Sequence, residues 1–82
     1  MIKKNREEDM LYFENFNYKG YSVTIIFNCE DNKYRPSLII RKNSRERKPG
    51  IERKIFKTKD EAFKWAEGRA KEYIDNGKAN NL

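Results

Sequence analysis

At 82 residues and a net charge of +6, the chain has room for one small domain and none for a second. A domain of this size buries only about 60% of its unfolded surface, so its core is thin and leaves room for pairing with a second copy. One cysteine, Cys29, and no histidine exclude an internal disulfide and leave a structural zinc ion without its usual ligands.

Charged residues (39%) slightly outnumber hydrophobic ones (37%), a balance that leans toward disorder. Five Tyr, five Phe and one Trp argue for a folded core instead. The opening MIKKNREEDM has no apolar stretch behind its charges and does not read as a signal peptide. Apolar runs elsewhere are too short to span a membrane. The expectation is a cytoplasmic protein.

Residues 1–9 mix charges without periodicity and read as a mobile tail ahead of a single domain over residues 10–77. MLYFENFNY follows, with Leu11, Phe13, Phe16 and Tyr18 apolar or aromatic. It fits either a short extra strand or a lead-in packed under the sheet. Lys19-Gly20 marks a turn. YSVTIIFN, Tyr21 to Asn28, alternates with period two, placing Tyr21, Val23, Ile25 and Phe27 on one face and Ser22, Thr24, Ile26 and Asn28 on the other. Asp31-Asn32 supplies hairpin chemistry, and Cys29 falls at the strand end beside it.

A second strand runs from Tyr34 to Lys42, with Tyr34, Leu38 and Ile40 on one face and Arg35, Ser37, Ile39 and Arg41 on the other. Pro36 lacks a ladder donor and suggests a bulge or an edge position. NSRERKPG reads as a polar loop with Pro49-Gly50 as its turn pair. Residues 51–56, IERKIF, read as a third strand of less regular alternation. TKDE, Thr58 to Glu61, has the form of a capping box and opens a helix over residues 59–75. Ala62, Phe63, Ala66, Ala70, Tyr73 and Ile74 lie on one stripe of it. Gly77 suits a left-handed cap, and residues 78–82 read as a frayed tail. The fold class expected is α+β in the order βββα: a three-stranded antiparallel sheet, with residues 10–18 available as a further strand, packed on one C-terminal helix.

The charge is localised. Lys33 to Lys59 holds eleven basic and two acidic residues, a net of +9, while the remainder of the chain nets −3. A concentrated excess is the form an electrostatic footprint takes. If the helix covers one sheet face, the other carries Thr24, Ile26, Arg35, Ser37, Ile39 and Arg41, with Arg53 or Lys54 beside them. Guanidinium groups interleaved with hydroxyls can hold phosphates and read base edges. Ile26 and Ile39 pull the other way, since an apolar pair with a polar rim also describes a dimer face. Trp65 stands off the apolar stripe, where it either covers the end of the core or meets a partner.

The junction FKTKDEAFKWAEGRAKEY after a basic sheet resembles the amino-terminal arm-binding domains of phage and transposon tyrosine integrases. The plant ethylene-response-factor DNA-binding domain is similar in architecture. In those families the third strand ends in an aromatic residue and Thr-x-x-Glu-Ala opens the helix; here these are Phe56, Thr58, Glu61 and Ala62. The resemblance spans roughly residues 21–75. It implies a sheet face laid in the DNA major groove, with Thr24, Arg35, Ser37, Arg41 and Arg53 or Lys54 in the matching positions. Ile26 and Ile39 depart from a groove-reading face. The chain also resembles small stand-alone strand-strand-strand-helix proteins of phages and bacteria, several of which dimerise and some of which bind single strands.

Two function classes follow. The first is a small nucleic-acid-binding module, for DNA before RNA. In it Arg41, Lys42, Arg45, Arg47 and Lys48 grip phosphates, Thr24, Arg35 and Ser37 lie nearer the bases, and Arg53 and Lys54 extend the surface. The second is a homodimeric interaction protein, such as a phage-encoded inhibitor of a host defence enzyme, using Ile26, Ile39 and Trp65. No membrane partner, cofactor or metal is expected. An enzyme is not expected either. Glu30-Asp31 and Asp60-Glu61 are explained by a turn and a helix start, Cys29 lacks an imidazole base, and no Gly-rich phosphate loop is present.

Overall fold

The computed structural model describes residues 10–50 and 54–79. Four strands form one antiparallel sheet in the order β1-β2-β3-β4: β1 (Met10–Tyr18), β2 (Tyr21–Glu30), β3 (Lys33–Lys42) and β4 (Arg45–Arg47). One helix, α1 (Lys59–Asp75), follows. The α+β class and the C-terminal helix are as the sequence predicts, and the helix bounds agree.

All three strand connections are two-residue turns with positive φ at both central positions: Lys19 and Gly20 (49° and 85°), Asp31 and Asn32 (55° and 61°), Asn43 and Ser44 (53° and 67°). That is the signature of the type I′ hairpin, whose twist matches that of the strands it joins. Each turn fixes the register of its neighbours, and β2 and β3 pair without interruption from Ser22↔Arg41 to Glu30↔Lys33.

The sheet departs from expectation at both ends. Residues 10–18 form a nine-residue strand paired along its whole length with β2. The predicted polar loop after Lys42 contains the Asn43-Ser44 turn and the short strand β4, which pairs with β3 at Ile40, Arg41 and Lys42. The predicted third strand over 51–56 is not found among the described residues. Lys54 and Ile55 are in no strand, Phe56 makes a single bridge to Tyr34, and residues 51–53, Arg53 among them, lie outside the described residues. Phe56 and Tyr34 exchange backbone hydrogen bonds of 2.8 and 2.9 Å. The outer edge of β3 is thus held at its start by Phe56 and at its end by β4. Pro36 falls between them, and its neighbour of equal parity, Tyr34, turns its amide outward to Phe56. The proline nitrogen faces the same outer side, where no ladder donor is needed, and no bulge is required.

The core lies between one sheet face and α1. Val23, Ile25, Phe27 and Ile40 are fully buried and Leu38 nearly so, against Ala62, Ala66, Ala70 and Ile74 of the helix. The three alanines let the helix backbone approach the sheet closely. Phe63 fits its ring edge-on to Phe16 and tilted to Phe27. The Thr58 hydroxyl accepts from the Glu61 amide (3.1 Å), satisfying one orphan donor of the first turn. At the other end Gly77 (φ 78°) and Lys78 donate to Ile74 and Tyr73 carbonyls in the paired 5→2 and 6→1 pattern of a Schellman cap. The predicted fraying therefore does not begin at residue 78: Lys78 closes the cap, and Ala79 is fully buried with its carbonyl accepting from Tyr21 Oη. Residues 1–9 and 80–82, read as tails, lie outside the described residues.

Candidate nucleic-acid interface

Antiparallel pairing sets which side chains share a face. The side away from α1 consists of rows across β1, β2 and β3: Leu11–Asn28–Arg35, Phe13–Ile26–Ser37, Asn15–Thr24–Ile39 and Asn17–Ser22–Arg41. Glu46 of β4 extends the last row. Leu11 and Phe13 are 54% and 57% exposed, far more than any other described apolar residue except Ile55. Ile26 and Ile39 are half-buried. They are not directly opposite: Ile26 faces Ser37 and Ile39 faces Thr24, so the two meet on the diagonal. With Phe13 beside Ile26 and Leu11 diagonal to it, the apolar residues make one continuous patch, bordered by asparagines on one side and by Arg35 and Arg41 on the other.

Of the predicted contact residues, Thr24, Arg35, Ser37 and Arg41 share this face. The Thr24 hydroxyl donates to Asn15 Oδ1 (2.6 Å), which orients that amide. Arg41 Nε meets Glu46 Oε1 at 3.0 Å, and Lys48 Nζ lies 3.7 Å from Glu46 Oε2. The hydrogen bond from Arg41 holds the Glu46 carboxyl below its ordinary pKa. Arg35 forms no ion pair among the described residues.

The other predicted cations among the described residues lie around the β3–β4 edge rather than on the open face. Lys42, Arg45 and Arg47 belong to the helix-side parity, as the pairs Ile40↔Arg47 and Lys42↔Arg45 require. Lys42 Nζ stands 4.7 Å over the Tyr21 ring. Lys54 Nζ lies 6.0 Å from the Trp65 ring. An edge strand shows both of its faces, so the edge as a whole is basic. The opposite edge differs: β1 carries Glu14 and no basic residue.

Trp65 meets Phe56 ring to ring at 5.5 Å, tilted by 44°, and receives Arg69 at 5.4 Å, half-buried against the core. It caps the end of the core in the helix layer. The sheet separates it from Ile26 and Ile39, so these three residues do not form one surface. Sequence reasoning passed over Leu11, Phe13 and the asparagines of β1; their strict alternation with Tyr12, Glu14, Phe16 and Tyr18 was the available signal. Among the described residues, no cluster of His, Cys, Asp and Glu could hold a metal ion, and no helix is long and apolar enough to cross a membrane.

Compared with protein-family models, curated proteins and solved structures, the chain matches none.

Proposed function

We propose that this chain is a small nucleic-acid-binding module. The observation that carries the reading is the gathering of positive charge along one side of the sheet. From the basic window, Arg41, Lys42, Arg45, Arg47 and Lys48 fall on β3, β4 and the residue after them, so the topology gathers these cations on the β3–β4 side. Such an edge attracts a polyanion, and each phosphate neutralised releases counterions. Arg41, Arg45, Arg47 and Lys48 contact the backbone, with Lys42 and Lys54 behind them. Arg35 and Ser37 lead from the edge onto the open face. A charged edge also discourages strand addition, which accounts for some edge charge but not for a surplus of one sign.

Fluorescence anisotropy with labelled DNA at about 50 and 200 mM salt tests this. Binding is expected to weaken by orders of magnitude across that range and to be lost in an Arg41→Glu, Arg47→Glu double variant. Absence of binding to single strands and duplexes at the lower salt sinks the reading.

A second reading, a homodimer through the open face, is favoured by the continuity of Leu11, Phe13, Ile26 and Ile39. It requires a dimer by sedimentation that salt does not dissociate.

A further inference from the structure

We propose that the open sheet face takes single-stranded nucleic acid in preference to duplex, with a base stacked on Phe13. This rests on the polyanion reading above and names its substrate class.

Three observations converge. Phe13 is an aromatic ring in the middle of a strand, 57% exposed on a face no element covers among the described residues. Its neighbours Leu11 and Ile26 widen a flat apolar platform, and platforms of this kind take bases regardless of sequence because every base has a π-face. Around the platform stand groups that match base edges. The Asn15 amide oxygen is held by Thr24, and Asn15, Asn17, Asn28 and Ser37 are all exposed on this face.

Charge then supplies the direction. Phe13 lies on β1, and Arg35 and Arg41 lie on β3, two strand spacings away, or about 10 Å. A strand whose bases rest on the β1–β2 side thus brings its phosphates to the arginines and to the basic β3–β4 edge beyond. The β1 edge offers phosphates less: its strand carries Glu14 and no basic residue of its own, and Lys59 of α1 lies 3.9 Å from that carboxylate. A duplex buries its base faces by stacking and presents phosphates on both sides of its grooves. It can use the basic edge but not the apolar platform.

The test is anisotropy with a labelled oligothymidylate and a hairpin duplex of equal length, using the whole chain and its Phe13→Ala and Arg35→Gln variants. The expected result is tighter binding of the single strand. Phe13→Ala should weaken single-strand binding roughly 5- to 100-fold without changing its salt slope, and leave duplex binding unchanged. Arg35→Gln should instead lower the salt slope. Phe13 is exposed, so the Ala variant should keep the wild-type unfolding temperature, which circular dichroism checks. If Phe13→Ala binds the single strand as well as wild type, or the duplex binds more tightly, the stacking proposal is overturned while the basic-edge reading stands. If neither nucleic acid binds, both fall. If neither binds and Phe13→Ala also converts a dimer to a monomer, the face is an interface between copies.

Discussion

A single carboxylate, Asp75, closes the molecule at the β1–β2 turn. It accepts from Tyr18 Oη (2.9 Å) and Lys19 Nζ (2.7 Å), joining the last turn of α1 to the first hairpin. The hydrogen bond from Lys19 holds its pKa below the ordinary carboxylate value, and the same contact raises that of Lys19. Because the folded value of Asp75 is depressed, its contribution to stability is present above the unfolded carboxylate pKa and is lost as pH falls through the folded one. The raised Lys19 gives the mirror case: its contribution is present below the ordinary lysine value and lost as pH rises through the folded one. Both groups are largely in solvent, which keeps the effect small. An Asp75→Asn variant should therefore unfold at a lower temperature than wild type at neutral pH. The gap should close as the carboxylate is titrated in acid, and thermal melts across pH check it. A gap that persists unchanged in acid would remove the charge from the explanation.

The elements show how local chemistry became visible or stayed hidden. α1 was legible to the residue, because Thr58 and Gly77 mark its ends and the stripe of Ala62, Ala66, Ala70 and Ile74 repeats at helical spacing. β2 and β3 were legible for the same kind of reason: alternation with β-branched residues between good turns. β4 was not. Arg-Glu-Arg has no apolar alternation, and Asn43-Ser44 lacks the glycine that usually announces a type I′ turn. The described end of the predicted third strand, residues 54–56, misled in the opposite direction. Ile55 is 53% exposed, and of these three residues only Phe56 bridges to β3. The site was legible in part. Arg35, Ser37 and Arg41 follow from alternation, but Phe13 reads as one more core aromatic until β1 is known to be a strand with a solvent face. Gly68 is the weak place within α1: it sits mid-helix, exposed, with nothing within 4 Å of where a Cβ would stand. Gly68→Ala should stabilise the fold by about 1 kcal/mol through helix propensity, measured by urea unfolding. A loss of stability would mean that the helix surface there contacts something beyond its described neighbours.

At the scale of the whole molecule, the two layers divide the labour. The helix side holds nearly all the buried apolar residues, while the opposite sheet face is left to water, an arrangement common in antiparallel sheets. Charge divides along the other axis: β1 carries one acidic residue and no basic one, while β3 and β4 carry Lys33, Arg35, Arg41, Lys42, Arg45 and Arg47 against one acid, Glu46. That second division comes from the strand order, since a simple meander lays sequence neighbours side by side and turns a basic stretch of chain into a basic flank. The meander also governs how the chain finds its structure. Every strand pairs with its neighbour in sequence across a two-residue turn, so sheet formation closes only short loops and forfeits little chain entropy. Hairpins of this kind form in roughly 1–10 μs. The long-range event is the return of the helix, which must bring Phe56 to Tyr34 and Ala79 to Tyr21. Refolding is thus expected to be limited by helix docking. In a chevron analysis, Ala66→Gly should slow refolding more, for equal loss of stability, than a change at the Asp31-Asn32 turn. The reverse ranking would make hairpin closure the slow step.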